Sequence, residues 1–145
     1  MLLGLAYQGF VEGLHDHLAA HGFAKLGPAY GYVVRAVAAE PRMTQRRLAA
    51  RLAITEQGAG QIVDDMVRRR FVTRLRDPDD ARARLLELGP RGRELLRVAR
   101  AYHAAYEQRL ASALGADHVD AMRRVLEHVV ATSADDTAQG RLRAT

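Results

Sequence analysis

The chain has 145 residues, of which 48% are hydrophobic and 27% are charged, and it contains no cysteine. This length and composition allow one domain with a real core, and the lack of cysteine excludes disulfides, thiolate metal sites and thiol redox switches. No apolar run is long enough to span a membrane, and the opening MLLGLAYQGF lacks the basic flank of a secretory signal. We therefore expect a cytoplasmic protein.

The net charge of +5 is concentrated in one segment. Between Arg42 and Arg84 there are eleven arginines and six acidic residues, whereas basic and acidic residues balance in the rest of the chain. A localised positive excess suits a polyanionic partner such as nucleic acid. The alternative is an arginine-rich solvated face, because all but one of the 22 basic residues are arginine. Charge alone does not decide between these interpretations.

Two helices are predicted ahead of the basic segment. The apolar seam of the first recurs at steps of four, three and four, and consists of Leu3, Tyr7, Phe10 and Leu14. Gly22 interrupts this pattern. A second helix is expected over residues 29–39, since the residue before Pro41 disfavours helical angles. We assign residues 1–40 to N-terminal helices that serve dimerisation and linkage.

The next two predicted helices lie inside the basic segment. Thr44 is the expected N-cap of QRRLAARL, and Thr55 is the expected N-cap of the helix over residues 55–70. The buried stripe of that second helix consists of Ala59, Ile62, Val63, Met66 and Val67. Its opposite face consists of Gln57, Gln61, Asp64 and Arg68. Two short helices joined by a brief turn predict a helix-turn-helix, in which the helix 55–70 is the reading helix.

A β-hairpin is predicted directly after the reading helix. FVTRLR alternates apolar and polar residues, DPDDARA has turn chemistry, and RLLEL resumes a strand pattern. A helix-turn-helix followed by a hairpin is a winged helix, which we assign to residues 42–88 as the DNA-binding module. The expected fold class is mainly α with a small β-hairpin wing, with terminal helices forming a dimerisation region.

The C-terminal part is predicted to contain two further helices. Gly89-Pro90 begins a long helix that ends near Gly115, and Asp117 is the expected cap of the last helix. We assign residues 89–132 to C-terminal dimerisation helices, and residues 133–145, which have no apolar period, to a flexible tail. A two-fold homodimer with interdigitating terminal helices is the expected assembly; an intramolecular bundle is the alternative.

Two glycines lie near the start of the reading helix, although glycine inside a helix costs about 1 kcal/mol relative to alanine. Small residues at Gly58 and Gly60 would let DNA backbone or sugar approach a helix N-terminus, whose N–H groups attract phosphate. The neighbouring Gln57 and Gln61 can each bond an adenine N6/N7 edge. The alternative is that these four residues are ordinary exposed positions.

Five segments carry a resemblance to a known family, and in chain order they are LAARLAIT, VDDM, RRRFV, DPDDARAR and RGRELL. Together they resemble the central pattern of the MarR (multiple antibiotic resistance regulator) family of winged-helix transcription regulators. The resemblance implies that residues Thr55 through Gln61 enter the major groove. It further implies that Arg82 enters the minor groove and that Asp80 holds Arg82 in place. The sequence departs from the family pattern at Gly89, where Thr is usual, at Gly60 and at Gln61, where a basic residue is frequent.

The predicted DNA-binding set combines the two caps, the start of the reading helix, arginines of the preceding helix and charged wing residues. It consists of Thr44, Arg46, Arg47, Thr55, Glu56, Gln57, Gly58, Gly60, Gln61, Arg74, Asp80, Arg82 and Arg84. For Arg74 and Arg84, pairing with Asp77 and Asp79 is the alternative to phosphate contact. Asp64 and Asp65 are expected to pair with Arg68 or Arg69.

The resemblance also implies a small aromatic or phenolic effector, bound between the dimer helices and the reading module. The candidate pocket residues are the aromatic and histidine side chains expected in that region: Tyr7, His15, Tyr30, Tyr32, Tyr102 and His103.

No catalytic motif is recognisable among the six histidines, and there is no Gly-rich phosphate loop or paired-carboxylate motif. His17 and His21 have the spacing of a metal pair, but an exposed pair is the favoured interpretation. We therefore expect no enzyme activity, no cofactor and no metal. The predicted function is a homodimeric regulator, a ligand-responsive repressor that binds a palindromic operator in double-stranded DNA. The alternatives are a winged-helix module that binds RNA, non-operator nucleic acid or protein, and a small metal- or ligand-sensing enzyme.

Overall fold

The computed structural model describes the backbone of residues 1–80 and 83–142, and the side chains of residues 1–80 and 83–132. Arg82, the predicted wing-tip arginine, lies outside the described residues. The chain divides into two compact units, Met1–Tyr102 and His103–Thr145. Each unit is described by itself below.

The elements follow the predicted order. They are α1 (Leu2–Ala20), α2 (Tyr30–Ala39), α3 (Gln45–Leu52), α4 (Glu56–Arg68), β1 (Val72–Arg76), β2 (Arg84–Leu88), α5 (Pro90–Leu114) and α6 (Ala116–Leu142). Helices α3 and α4 with the β1–β2 hairpin form a winged helix-turn-helix, which confirms the predicted, mainly α fold with a small β-hairpin wing. The dimerisation region stays a prediction. Among the described residues, no helix is both long and apolar enough to cross a membrane.

The turn between α3 and α4 is fixed by local hydrogen bonds. The hydroxyl of Thr44 accepts from the Arg47 N–H at 3.2 Å, and the hydroxyl of Thr55 accepts from the Gly58 N–H at 3.0 Å. Each threonine thus satisfies one unpaired donor of its helix, which confirms both predicted caps. Ala53, with φ of 55°, ends α3 in the left-handed conformation that reverses the chain.

The predicted apolar stripe of α4 packs on the core, although Ile62 and Val67 are only half-buried. Ala59, Val63 and Met66 are fully buried, and Val63 and Met66 belong to a core to which α2, α3 and the hairpin also contribute. Burying one side chain of this size is worth about 1.5–3 kcal/mol. A helix held by such a stripe can present only its other side to solvent, and its polar residues Gln57 and Gln61 are accordingly exposed.

The wing is tied to the start of α3. Strands β1 and β2 pair antiparallel, with Arg74 opposite Leu86. The Leu86 N–H donates to the Met43 carbonyl at 2.8 Å, and Thr44 forms a β-bridge with Leu85. The residue that caps α3 therefore also extends the hairpin, so the wing and the helix-turn-helix are connected through the backbone.

Gly89, one of the departures from the family pattern, is explained by a close backbone approach. A Cβ atom on Gly89 would lie 2.4 Å from the carbonyl oxygen of Arg70, a distance that no real side chain tolerates. The Gly89 N–H donates to the Phe71 carbonyl at 2.8 Å. The start of α5 is thus packed directly on the backbone between α4 and β1, where only glycine fits.

The last helix differs from the prediction at both ends. It begins at Ala116, so Asp117 lies in the first turn and is not the N-cap; there its charge still favours the helix dipole. The backbone remains helical to Leu142, so the segment predicted as a flexible tail from residue 133 is helical as far as that residue. A helix that is already nucleated can propagate through polar, alanine-containing sequence without an apolar period.

Candidate nucleic-acid interface

The outward face of α4 begins at the helix N-terminus. Thr55, Glu56, Gln57 and Gln61 are exposed, whereas Gly58 and Gly60 are half-buried. The first-turn N–H groups have no acceptor within the helix, apart from the one that Thr55 caps. This end of α4 therefore combines unpaired donors with two flexible amide side chains. Glu56 is stabilised here by the helix dipole, which accounts for an acid at this position.

The structure adds the protein's own packing to the reason that the sequence suggested for the two glycines. A Cβ atom on Gly60 would lie 3.0 Å from Nε2 of Gln45, so this position makes room for a side chain of α3. On Gly58 it would lie 3.2 Å from the capping hydroxyl of Thr55. Small residues at both positions therefore fit contacts within the protein, and the approach of DNA backbone or sugar stays a prediction.

Gln45, which the sequence analysis did not single out, joins three elements. Its Nε2 donates to the Glu56 carbonyl at 3.3 Å, and its Oε1 accepts from Nη2 of Arg74 at 3.3 Å. Nη1 of Arg74 donates to Oδ1 of Asp64 at 2.6 Å. The side chains of α3, α4 and β1 are therefore connected in one polar network.

The sequence prediction for Arg74 was wrong about its partner. Instead of pairing with Asp77 or Asp79, Arg74 pairs with Asp64 of the reading helix, and Asp64 therefore pairs with neither Arg68 nor Arg69 among the described contacts. The strand period explains the difference. Opposite residues of an antiparallel pair share a face, and Leu86 opposite Arg74 is buried, so Arg74 lies on the helix-facing side of the wing.

The two predicted backbone clamps on α3 differ in what they contact. Arg47 pairs with Glu40, which also lies 3.6 Å from Arg51. Arg46 is exposed and forms no ion pair within the described part of the chain. Arg46 is therefore the α3 arginine whose charge is available to a partner.

The base of the wing is held by an ion pair that the sequence analysis missed. Oδ1 of Asp77 accepts from Arg42 at 2.7 Å and from the Asp79 N–H at 3.0 Å, and Arg42 also lies 2.9 Å from Oδ2 of Asp79. Asp77 is the buried charged side chain among the described residues. The backbone hydrogen bond from Asp79, together with the charge of Arg42, holds the pKa of Asp77 below its usual value. The Asp-Pro-Asp sequence was the available signal, since Asp commonly bonds the backbone two residues on.

The predicted roles of Asp80, Arg82 and Arg84 in DNA binding stay predictions. Asp80 accepts a backbone bond from Ala83 through its carbonyl at 3.0 Å, and its proposed partner Arg82 lies outside the described residues. Arg84 is exposed and donates to the Ala83 carbonyl at 3.1 Å.

Tyr30, a predicted pocket residue, lies in the core beneath the end of α4. Its hydroxyl donates to Asp65 and accepts from Nη1 of Arg69 at 3.0 Å, while its ring packs edge-on against Phe71 at 4.9 Å. Burial and the hydrogen bond to Asp65 raise the pKa of Tyr30. The same hydrogen bond lowers the pKa of Asp65, which also pairs with Arg68 at 2.9 Å, as predicted. The Tyr30 hydroxyl is thus already bonded to α4.

The other predicted pocket residues lie in different surroundings. Tyr102 is buried against Phe10 and His17 of α1, with ring centroids 5.5 and 5.3 Å away. The remaining four are exposed, namely Tyr7, His15 and Tyr32 in the first unit and His103 in the second. A common pocket for these residues stays a prediction.

His17 and His21 stack on each other, with ring centroids 4.3 Å apart, and Nδ1 of His21 lies 2.7 Å from the His17 carbonyl oxygen. In the described residues there is no cluster of three or more groups able to hold a metal ion.

Comparison with known proteins finds winged-helix transcription regulators that are similar to this chain. The model of the MarR family matches residues 25–83. The transcriptional repressor CouR, solved bound to a 23-mer DNA duplex, is 28% identical, with a TM-score of 0.66 over 89% of both chains. A mutant of MarR from E. coli is 22% identical, with a TM-score of 0.64 over 89% of this chain and 93% of that one.

RV1404 from Mycobacterium tuberculosis has the same fold, with 19% identity and a TM-score of 0.77 over 89% of this chain and 88% of its own. No curated protein is similar to the chain in sequence.

We expect the Asp77 contacts to make the stability of the protein sensitive to acid. Because the pKa of Asp77 is lowered in the folded state, its contribution is present above the unfolded value of about 3.9 and is lost as pH falls through the folded pKa. Asp77→Asn should therefore destabilise the protein at pH 7 and flatten the loss of stability below about pH 4. Urea unfolding at several pH values measures this. Asp16→Asn, on the exposed side of α1, is the control, and equal pH profiles for wild type and Asp77→Asn would contradict the assignment.

Proposed function

We propose that this chain is a member of the MarR family of transcription regulators, whose model matches residues 25–83, and that it acts as a homodimeric repressor of a palindromic operator. In this proposal α4 lies in the major groove, the wing lies at the minor groove, and the protein acts on DNA in the cytoplasm. Members of the family are regulators and not enzymes. The proposed response to an aromatic or phenolic effector is supported by the sequence resemblance.

The observation that carries the proposal is the fixed orientation of α4. Full burial of Ala59, Val63 and Met66 leaves Gln57 and Gln61 exposed next to an N-terminus with unpaired donors. Glutamine can donate to and accept from the major-groove edge of adenine, and helix N-termini bind phosphate. A helix that presents both features on one face is suited to reading bases while it is positioned by the backbone.

Arg46 supplies a different kind of contact. It is exposed, it lies in the first turn of α3, and it forms no ion pair within the described residues. A free guanidinium close to the reading helix can neutralise a phosphate and release a counterion, which strengthens binding to any sequence. Arg46 is therefore proposed to contribute affinity without specificity.

The similarity to CouR supports duplex DNA as the partner. That protein is a repressor and its structure contains a DNA duplex, and the two chains align over 89% of their lengths at 28% identity. Helices α3 and α4 and strand β1 lie within residues 25–83, which match the family model. Repression is proposed for this chain by analogy with that relative.

Exposed apolar side chains support the proposed homodimer. In the first unit they lie at the start of α1 and include Leu2, Leu3, Leu5 and Tyr7. In the second unit they lie along α6 and consist of Met122, Val125, Leu126, Val129 and Val130. Met122, Leu126 and Val130 of this set line an open groove of about 380 Å³ together with Glu107 of α5. Large apolar faces of this kind are typical of subunit interfaces, and a second copy of the chain is the proposed occupant.

Gln61→Ala and Arg46→Ala should weaken DNA binding in different ways. The operator is first selected from random duplexes with the wild-type protein, and affinities are then measured by fluorescence anisotropy for operator and scrambled DNA. Gln61→Ala should cost about 1–3 kcal/mol on the operator and little on scrambled DNA. Arg46→Ala should weaken both and make the salt dependence shallower. Failure to select any sequence, or equal losses on both duplexes for Gln61→Ala, would contradict the proposal.

Val125→Asp should dissociate the dimer. A carboxylate placed in the apolar α6 face is costly to bury in an interface. Light scattering coupled to size-exclusion chromatography should give a dimer for the wild type and a monomer for the variant. Arg124→Asp places an acid at an exposed position on the opposite side of α6 from Met122, Leu126 and Val129, and it should leave the dimer intact. A wild-type monomer, or a Val125→Asp dimer of wild-type stability, would refute the proposed interface.

A further inference from the structure

The ion pair between Asp64 and Arg74 lies at the edge of the proposed reading surface. Arg74 donates from Nη1 to Asp64 at 2.6 Å and from Nη2 to Gln45 at 3.3 Å. Both terminal nitrogens of the guanidinium are thus bonded to protein side chains. The side chain of Arg74 is 30% exposed and that of Asp64 is 63% exposed, so the pair is open to solvent at the carboxylate.

Asp64 is on the same face of α4 as Gln61. Residues three apart on a helix are neighbours on its surface, and both are exposed. A carboxylate at this place faces the region where the proposed operator lies, and unneutralised it would repel phosphate. An Arg74 without Asp64 would in turn be free to contact phosphate whatever the base sequence. The pair cancels both effects.

Gln45 is the second side chain that holds the guanidinium of Arg74 in position. The amide of Gln45 occupies the space over Gly60, and its Nε2 is held by the Glu56 carbonyl. With that nitrogen engaged, Oε1 is directed to Arg74. Glycine is less favourable than alanine within a helix, but at position 60 it leaves room for the amide of Gln45.

We propose that Asp64 is a specificity-determining residue, which holds Arg74 away from DNA phosphates. Specificity is the difference between affinities for the right and the wrong sequence. By withholding one cation from sequence-independent binding, Asp64 lowers the affinity for non-operator DNA and leaves the base contacts of α4 to decide where the protein binds. This inference rests on the proposed DNA-binding function.

The test compares wild type with Asp64→Ala on operator and scrambled duplexes, with affinities measured between 50 and 200 mM salt. Asp64→Ala should bind scrambled DNA more tightly, and the slope of log K against log salt should steepen by about 0.9 for each subunit that engages a further phosphate. The ratio of operator affinity to scrambled affinity should fall. Because alanine favours the helix, the variant is expected to fold, which circular dichroism checks.

Two further variants separate this role from a general change in charge. Glu94→Ala frees Arg97 on α5, where the pair has a distance of 2.6 Å, and changes the net charge by the same amount. It should leave the slope and the affinity ratio unchanged. The double variant Asp64→Ala/Arg74→Ala should lose the gain seen with Asp64→Ala, because the gain depends on the released guanidinium.

The outcomes are distinct. A steeper slope for Asp64→Ala that disappears in the double variant supports the inference. An unchanged slope for Asp64→Ala, a gain equal to that of Glu94→Ala, or a gain that persists without Arg74 overturns it while the proposed function stands. If the wild type binds duplex DNA without any preferred sequence, the proposed function fails, yet the slopes on scrambled DNA still test the role of Asp64. If it binds no duplex at all, both fail.

Discussion

The fixed orientation of α4 depends on the burial of three side chains, Ala59, Val63 and Met66. Rotating the helix would expose this stripe to water and bury the glutamines in its place, and both changes are unfavourable. The capped turn at Thr55 sets where the helix begins, and the network through Gln45 sets its relation to α3 and the wing. The reading surface is therefore a consequence of core packing.

The same module shows that the positive charge of the central segment is only partly available to a partner. Arg42 is bonded to Asp77, Arg47 to Glu40, Arg69 to Tyr30 and Arg74 to Asp64. These arginines hold the wing, the start of α3 and the C-terminal half of the reading helix. The net charge of the segment therefore overstates the number of cations that can neutralise phosphate. Among the described residues, we expect exposed arginines without an ion pair, such as Arg46, to contribute most of the sequence-independent affinity for DNA.

Local features of the fold could be predicted from the sequence, because they depend on residues close together in the chain. The caps at Thr44 and Thr55, the apolar stripe of α4 and the hairpin are of this kind. The pairing of Arg74 with Asp64 was missed because it depends on which face of the wing meets the helices. The contact between Gly60 and Gln45 was missed likewise, because Gln45 lies 15 positions away in the sequence. The length of α6 was missed because a polar helix carries no apolar period.

The central claim is that two copies of α4 read bases in successive major grooves. Methylation protection at guanine N7, an atom exposed in the major groove, tests it most directly on the selected operator. The account predicts two clusters of protected guanines centred about 10 base pairs, or a whole multiple of that spacing, apart. A single cluster, or binding that leaves every guanine N7 reactive, would contradict it.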